Sequence, residues 1–228
     1  VTSPADRRQV VGHWQPADTA TVQRALANAV AAQPAWDRTP AASRAAILEH
    51  AAHLLEQRMA DYIALCVKEA GKTIPDSVAE VREAVDFLRY YAAQARAQFG
   101  APEQLPGPTG ESNQLQLQGR GVFVCISPWN FPLAIFLGQV AAALAAGNSV
   151  IAKPAEQTSL VGHAAVQLLH EAGVPVEVLQ FVPGDGATVG AALTSDARVA
   201  GVAFTGSTET ARAINRALAG ARTPRSRY

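Results

Sequence analysis

Two contrasting halves predict an α/β fold, in which a helical N-terminal segment precedes a parallel sheet with flanking helices. Up to Phe99 apolar residues recur at helical spacing, whereas from Gly121 short β-branched runs alternate with Ala-rich stretches. Between the halves, residues 100–111 are rich in Pro and Gly, as a boundary requires. The predicted organisation is a helical segment over 1–111, a sheet-containing core over 112–219 and an irregular tail over 220–228.

Asp18 or Thr19 caps the first helix, which runs through Ala32 and is broken by Trp36 and Pro40. A second helix spans 43–69 and stops at Gly71, and a third spans 76–99. Gln and Leu alternate over 114–118, the pattern of a half-exposed strand. Strands then fall at 122–126, 149–152, 178–182 and 199–204, each followed by a helix, at 133–146, 160–172, 187–194 and 207–219. Continuous apolar strands joined by crossover helices imply a parallel sheet covered on both faces and wound in the doubly wound manner. In such sheets ligands bind beyond the carboxyl ends of the strands, so the loops to inspect are 127–132, 153–159, 183–186 and 205–208.

A chain of 228 residues can bury one good core, or one full domain and part of another, so a complete two-domain enzyme is not expected. Nineteen basic residues balance nineteen acidic ones without a charge run outside the tail, which predicts a small-molecule partner and excludes a nucleic-acid or anionic-membrane footprint. At 49% hydrophobic and 17% charged residues, bulk disorder is excluded as well. The most apolar stretch, 133–146, is about 14 residues against the roughly 20 needed to span a bilayer, so no membrane span is expected. No charged leader opens the sequence, and Cys66 and Cys125 lie too far apart for a disulfide framework or a metal cluster. A reducing, cytoplasmic setting is expected, with no metal. His50 and His53 share a helix face but lack a third ligand.

Each carboxyl-end loop carries a candidate. In Ser127-Pro128-Trp129-Asn130-Phe131-Pro132 an amide is held between two prolines, where it either donates to an oxyanion or caps the next helix. Lys153-Pro154-Ala155-Glu156 offers a cation and a carboxylate that grip a ribose diol, or else form a solvated pair. Gly184-Asp185-Gly186-Ala187-Thr188-Val189-Gly190 places its last glycine one residue late for the usual dinucleotide turn, leaving a tight turn with a close-packed helix as the other reading. In Phe204-Thr205-Gly206-Ser207-Thr208-Glu209 the first free N–H groups of a helix can meet a pyrophosphate, or Ser207 is an N-cap only. Cys125, flanked by Val124 and Ile126 in a central strand, should be buried with a raised pKa, the opposite of an activated nucleophile.

Together with Ala145-Ala146-Gly147-Asn148 and Pro183-Gly184, these segments resemble the aldehyde dehydrogenase family in its own order, over residues 1–219. Glu69-Ala70-Gly71-Lys72, the run from Glu80 to Leu88 and Cys125-Ile126-Ser127 make the chain similar, within that family, to the L-glutamate γ-semialdehyde dehydrogenase module of proline utilisation A. The resemblance implies a Rossmann-like NAD-binding part without the catalytic domain. Lys153 and Glu156 would hold the adenosine ribose, Gly206 and Ser207 would approach the pyrophosphate, and Gly186 and Gly190 would lie near the adenine. Ile126, Ser127, Trp129, Phe204 and Thr205 complete the implied cofactor set. Asn130 would share the oxyanion hole, Phe131 would line the aldehyde pocket, and Glu83 would meet the substrate's amino group.

The family's glutamate base and cysteine nucleophile belong to segments this sequence lacks, so turnover by this chain alone is not expected. An uncovered apolar surface should favour self-association in place of the family's oligomer. The tail, with three arginines in its last seven residues, departs from the family pattern. Codons that could encode Thr223 to Tyr228, read one base earlier after a G, yield Asp-Pro-Ala-Ile-Pro-Val, which resembles the family's continuation, and a frameshift or a broken gene is the expectation. Two rival functions stand beside the dehydrogenase: a non-catalytic binding or assembly module on a nucleotide fold, and part of a dehydrogenase for another aldehyde.

Overall fold

A computed structural model describes residues 1–221. Four helices come first: α1 (Thr19–Arg38), α2 (Ala41–Gln57), α3 (Met59–Ala70) and α4 (Ile74–Phe99). Asp18 caps α1, its carboxylate accepting the Thr21 amide at 2.7 Å. The helix continues past Ala32, through Pro34, to Arg38. Trp36 explains the extension: it is buried, and its indole N–H donates to Leu144 O at 3.0 Å, so packing outweighs the hydrogen bond lost at Pro34. The single helix predicted over 43–69 is two, α2 and α3, separated at Arg58 without a Gly or Pro to announce the break. Gly71 ends α3 in the left-handed conformation at φ 68°.

A two-stranded antiparallel ribbon follows, β1 (Glu103–Leu105) with β2 (Asn113–Leu115), exposed along most of its length. The predicted strand over 114–118 thus shortens to β2. Its partner β1 carries no alternation of its own.

The main sheet is parallel: β3 (Val122–Ile126), β4 (Ser149–Lys153), β5 (Leu179–Phe181) and β6 (Val199–Phe204), in the order β5-β4-β3-β6. Its crossovers are α5 (Ala134–Ala145), α6 (Ser159–Ala172) and a π-helical turn (Gly186–Gly190) leading into α7 (Ala191–Thr194), and α8 (Thr208–Ala221) follows β6. The chain winds outward from β3 to β5 and then returns to the far side of β3. That reversal sets the topological switch point at the carboxyl end of β3.

Alternation along β3 divides the core. Cys125 faces a cluster shared with α2, α4, α5 and α6, and Val122 and Val124 face a second one under Val22, Leu26 and Ala29 of α1. The helical segment is therefore packed into the same interior as the sheet. Gly220 and Ala221 close α8 rather than opening a tail, and the expectations about residues 222–228 lie outside the described residues.

Helix α5 is tied at both ends by charges from the first four helices. At its start the Glu80 carboxylate, 1% exposed, accepts the amides of Leu133 at 3.1 Å and Ala134 at 2.8 Å. At its end the buried Arg44 guanidinium donates to Ala145 O at 3.1 Å and to the carbonyls of Asp37 and Thr39. Gln33 adds a hydrogen bond to Gly147 O at 3.1 Å. An anion at the N-terminus and a cation at the C-terminus both complement the helix dipole. Gly147, at φ 85°, lies so close to Asp37 that a Cβ there would sit 2.3 Å from Oδ1. The absence of a Cβ at Gly147 leaves room for the Asp37 carboxylate, which accepts the Gly119 amide at 2.8 Å just ahead of β3.

No helix among the described residues is long and apolar enough to cross a membrane, and no group of three His, Cys, Asp or Glu among them could hold a metal ion.

Candidate active site

Register brings the predicted loops together. Ile126 at the end of β3 pairs with Lys153 at the end of β4 on one side and with Phe204 at the end of β6 on the other. With parallel strands roughly 5 Å apart, the three strand ends lie within about 10 Å of one another. The Ser127 amide donates to Lys153 O at 3.4 Å, and the Thr205 amide to Ile126 O at 3.1 Å. Gln139 of α5 braces the second junction, its side chain bonded to Thr205 Oγ1 at 2.9 Å. With the amide oriented so that its nitrogen faces Ile126 O, at 3.2 Å, both ends are satisfied.

Lys153 is the buried cation of the site, 4% exposed, and its ammonium donates only to Pro154 O, at 3.3 Å, among the described residues. Burial pushes its pKa below the usual lysine value, while Glu156 and Asp185 act in the other direction. Glu156 is exposed at the start of a 3₁₀ turn (Glu156–Thr158). A buried cation with unspent N–H donors beside an exposed carboxylate suits a diol better than a solvated surface pair does. A Cβ at Gly190 would come within 3.7 Å of Lys153 Cε, so Gly190 borders the same site, while a Cβ at Gly186 meets nothing within 4 Å. The Asp185 carboxylate caps the π-helical turn through the Thr188 amide at 2.7 Å. The late glycine of this motif thus belongs to a widened first turn.

On the β6 side, Thr205, Gly206 and Ser207 are exposed at the start of α8. Ser207 does act as an N-cap, accepting the Thr210 amide at 3.1 Å, so its hydroxyl is partly spent. The amides ahead of Thr210 in the first turn are those a helix leaves without intrahelical partners. Gly206 is crowded: a Cβ there would lie 2.6 Å from the Phe204 ring. In the β3 loop, Ser127 is buried and its Oγ has no partner. This set of a buried ammonium, an orphaned buried hydroxyl and free helix amides fits a dinucleotide's ribose and phosphates.

Asn130 is exposed, and its side-chain amide forms no hydrogen bond among the described residues. It does not cap α5, because Glu80 does. Its backbone carbonyl accepts Lys72 Nζ at 2.9 Å, and the same ammonium lies 4.4 Å above the Phe131 ring. Trp129 is 58% and Phe131 40% exposed beside it. Glu83 is exposed on α4, and among the described residues no hydrogen bond or ion pair joins its carboxylate to Asn130 or Phe131. The carboxylate that does reach this loop is Glu80, three residues earlier.

Glu80, Lys72, Glu69 and Arg44 escape a sequence reading of charge as solvated surface. One signal could have found two of them, which lie within an apolar helical stripe: Glu80 with Ser77, Val81 and Ala84, and Arg44 with Ala41, Ala45 and Leu48. Cys66 and Cys125 are both buried, and burial pushes each thiol up to about 12. Neither is an activated nucleophile.

The sequence matches the aldehyde dehydrogenase family over residues 1–226. The chain belongs to the aldehyde dehydrogenase family. Its relatives include the bifunctional protein PutA of Klebsiella aerogenes, 53% identical over all of this chain and 16% of that protein. The 1-pyrroline-5-carboxylate dehydrogenase of Anoxybacillus flavithermus is 42% identical over 90% of this chain and 40% of its own length. Among solved structures, a variant of proline utilization A from Bradyrhizobium japonicum superposes with a TM-score of 0.91 at 61% identity, covering 92% of this chain and 22% of that one. A 1-pyrroline-5-carboxylate dehydrogenase variant from Thermus thermophilus gives 0.90 at 40% identity, over 95% of this chain and 42% of the other. This aldehyde dehydrogenase chain thus spans 16% to 40% of the length of those curated relatives.

Proposed function

We propose that the chain is the nucleotide-binding part of an NAD-dependent aldehyde dehydrogenase that acts on L-glutamate γ-semialdehyde in proline catabolism, in the cytoplasm. The observation that carries this is the meeting of the β3, β4 and β6 carboxyl ends around Ile126, with the buried Lys153 ammonium at its side. The names of the relatives, PutA and 1-pyrroline-5-carboxylate dehydrogenase, support the substrate class. Residues 112–219 form the nucleotide-binding core and residues 1–111 its helical support.

Lys153 and Glu156 hold the adenosine ribose, and Glu156 repels a 2′-phosphate, which favours NAD over NADP. The backbone at Gly206, Ser207 and Thr208 meets the pyrophosphate. Ile126, Ser127, Trp129, Phe204, Thr205, Gly186 and Gly190 surround the cofactor, which accepts hydride when bound. Asn130 presents its free amide to the oxygen on which negative charge develops, Phe131 covers the aldehyde, and Glu83 receives the substrate's amino group. With both thiols held protonated by burial, the nucleophile and base come from other segments of a longer protein.

Titrating NAD into the 228-residue chain tests the assignment. Saturable binding is expected, weakened at least about tenfold by Lys153→Met, with Glu156→Ala improving NADP relative to NAD. A wild-type chain that shows no saturation with NAD would overturn it.

A further inference from the structure

We propose that Lys72 and Glu80 are positioning residues that hold Asn130 and Phe131 in register with the sheet, a role resting on the oxyanion function assigned to Asn130 above. Gly71, in its left-handed conformation, ends α3 and turns the chain so that Lys72 emerges toward the β3 loop. There the ammonium has three partners. It donates to Glu80 Oε1 at 3.0 Å and to Asn130 O at 2.9 Å, and it rests 4.4 Å above the Phe131 ring.

The Glu80 carboxylate is 1% exposed and is shared. One oxygen takes Lys72, and the other takes the Leu133 and Ala134 amides that open α5. A single buried group therefore fixes the two sides of the loop, its exit through α5 and its centre through Lys72. Pro128 and Pro132 stiffen the same stretch from within. The result is an Asn130 whose backbone is held at its own carbonyl while its side-chain amide stays unpartnered and exposed. A buried ion pair contributes little net stability, because desolvation of both charges offsets their attraction. Fixing a loop against a helix end is a use that such a pair can serve.

The test uses the whole chain, labelled with ¹⁵N, and reads backbone order parameters at Trp129, Asn130 and Phe131 beside those of Val140 and Ile151. In the wild type all five should be near about 0.85, the value of rigid backbone. Lys72→Met should drop the three loop positions below about 0.6 and leave Val140 and Ile151 unchanged, with Lys72→Arg restoring the loop. Glu80→Gln keeps an oxygen for the α5 amides while weakening the ion pair, and it should loosen the same three positions. Loop values that stay near those of the wild type in Lys72→Met and Glu80→Gln overturn the proposal. Loosening of loop and core together, unrescued by arginine, overturns it too, since that pattern marks a general loss of structure. An NAD titration on the same samples separates the two readings: lost binding in the wild type sinks the nucleotide assignment alone, and a rigid loop in the variants sinks the positioning role alone.

Discussion

The carboxylate of Glu69, near the end of α3, accepts the Val161 amide at 2.7 Å and the Leu160 amide at 2.9 Å, capping α6 from a helix 92 residues away in sequence. Glu80 does the same for α5. Two crossover helices of the sheet thus begin on glutamates supplied by the helical segment.

Glu69 is 6% exposed, and burial raises its pKa above 4.5, against the pull of the two amide hydrogen bonds. The folded chain therefore keeps a proton over a pH range in which the unfolded chain has released it. Unfolding free energy should fall as pH rises above 4.5 and through the raised folded pKa, and Glu69→Gln should flatten that slope. Urea denaturation across a pH series reads the difference. Equal slopes in the two proteins would refute the assignment.

Arg44 should respond more strongly. Its guanidinium holds Ala145 O and two further buried or half-buried carbonyls, so Arg44→Met leaves acceptors unpaired and should cost about 2–4 kcal/mol. A lysine does not reproduce the planar fork, and Arg44→Lys should recover less than half of the loss. The urea midpoint at constant m-value is the measurement.

The two thiols should be inert until the chain unfolds. With pKa values near about 12, only about one thiol in ten thousand is ionised at pH 8, and both are shielded from reagent. Native protein treated with iodoacetamide should show no labelling by mass spectrometry, and both sites should react in denaturant. Rapid native labelling of Cys125 would contradict the burial described.

The sheet was the most legible part of the sequence. Its β-branched runs, such as Val122–Ile126 and Val199–Phe204, are bounded by Gly and Pro and separated by Ala-rich helices, so local propensity and tertiary need agree. The loops at the strand ends followed directly. Where the two disagree, the sequence misleads: α1 crosses Pro34 because Trp36 is needed against Leu144, and α2 ends at Arg58 for no local reason. The site was half legible. Asn130, Lys153 and Ser207 stand in loops that point to them, whereas Lys72 and Glu80 act through contacts 58 and 54 residues distant in sequence, which no local pattern contains.

Both ends of α5 being tied to residues before position 100 restricts how such chains can recombine. A chimera that joins the front of one relative to the sheet of another would have to keep Arg44 matched to the carbonyls of one helix end and Glu80 matched to the amides of the other. The Pro- and Gly-rich stretch at 100–111 invites a cut, but the sheet beyond it would inherit a central helix stripped of both its anchors.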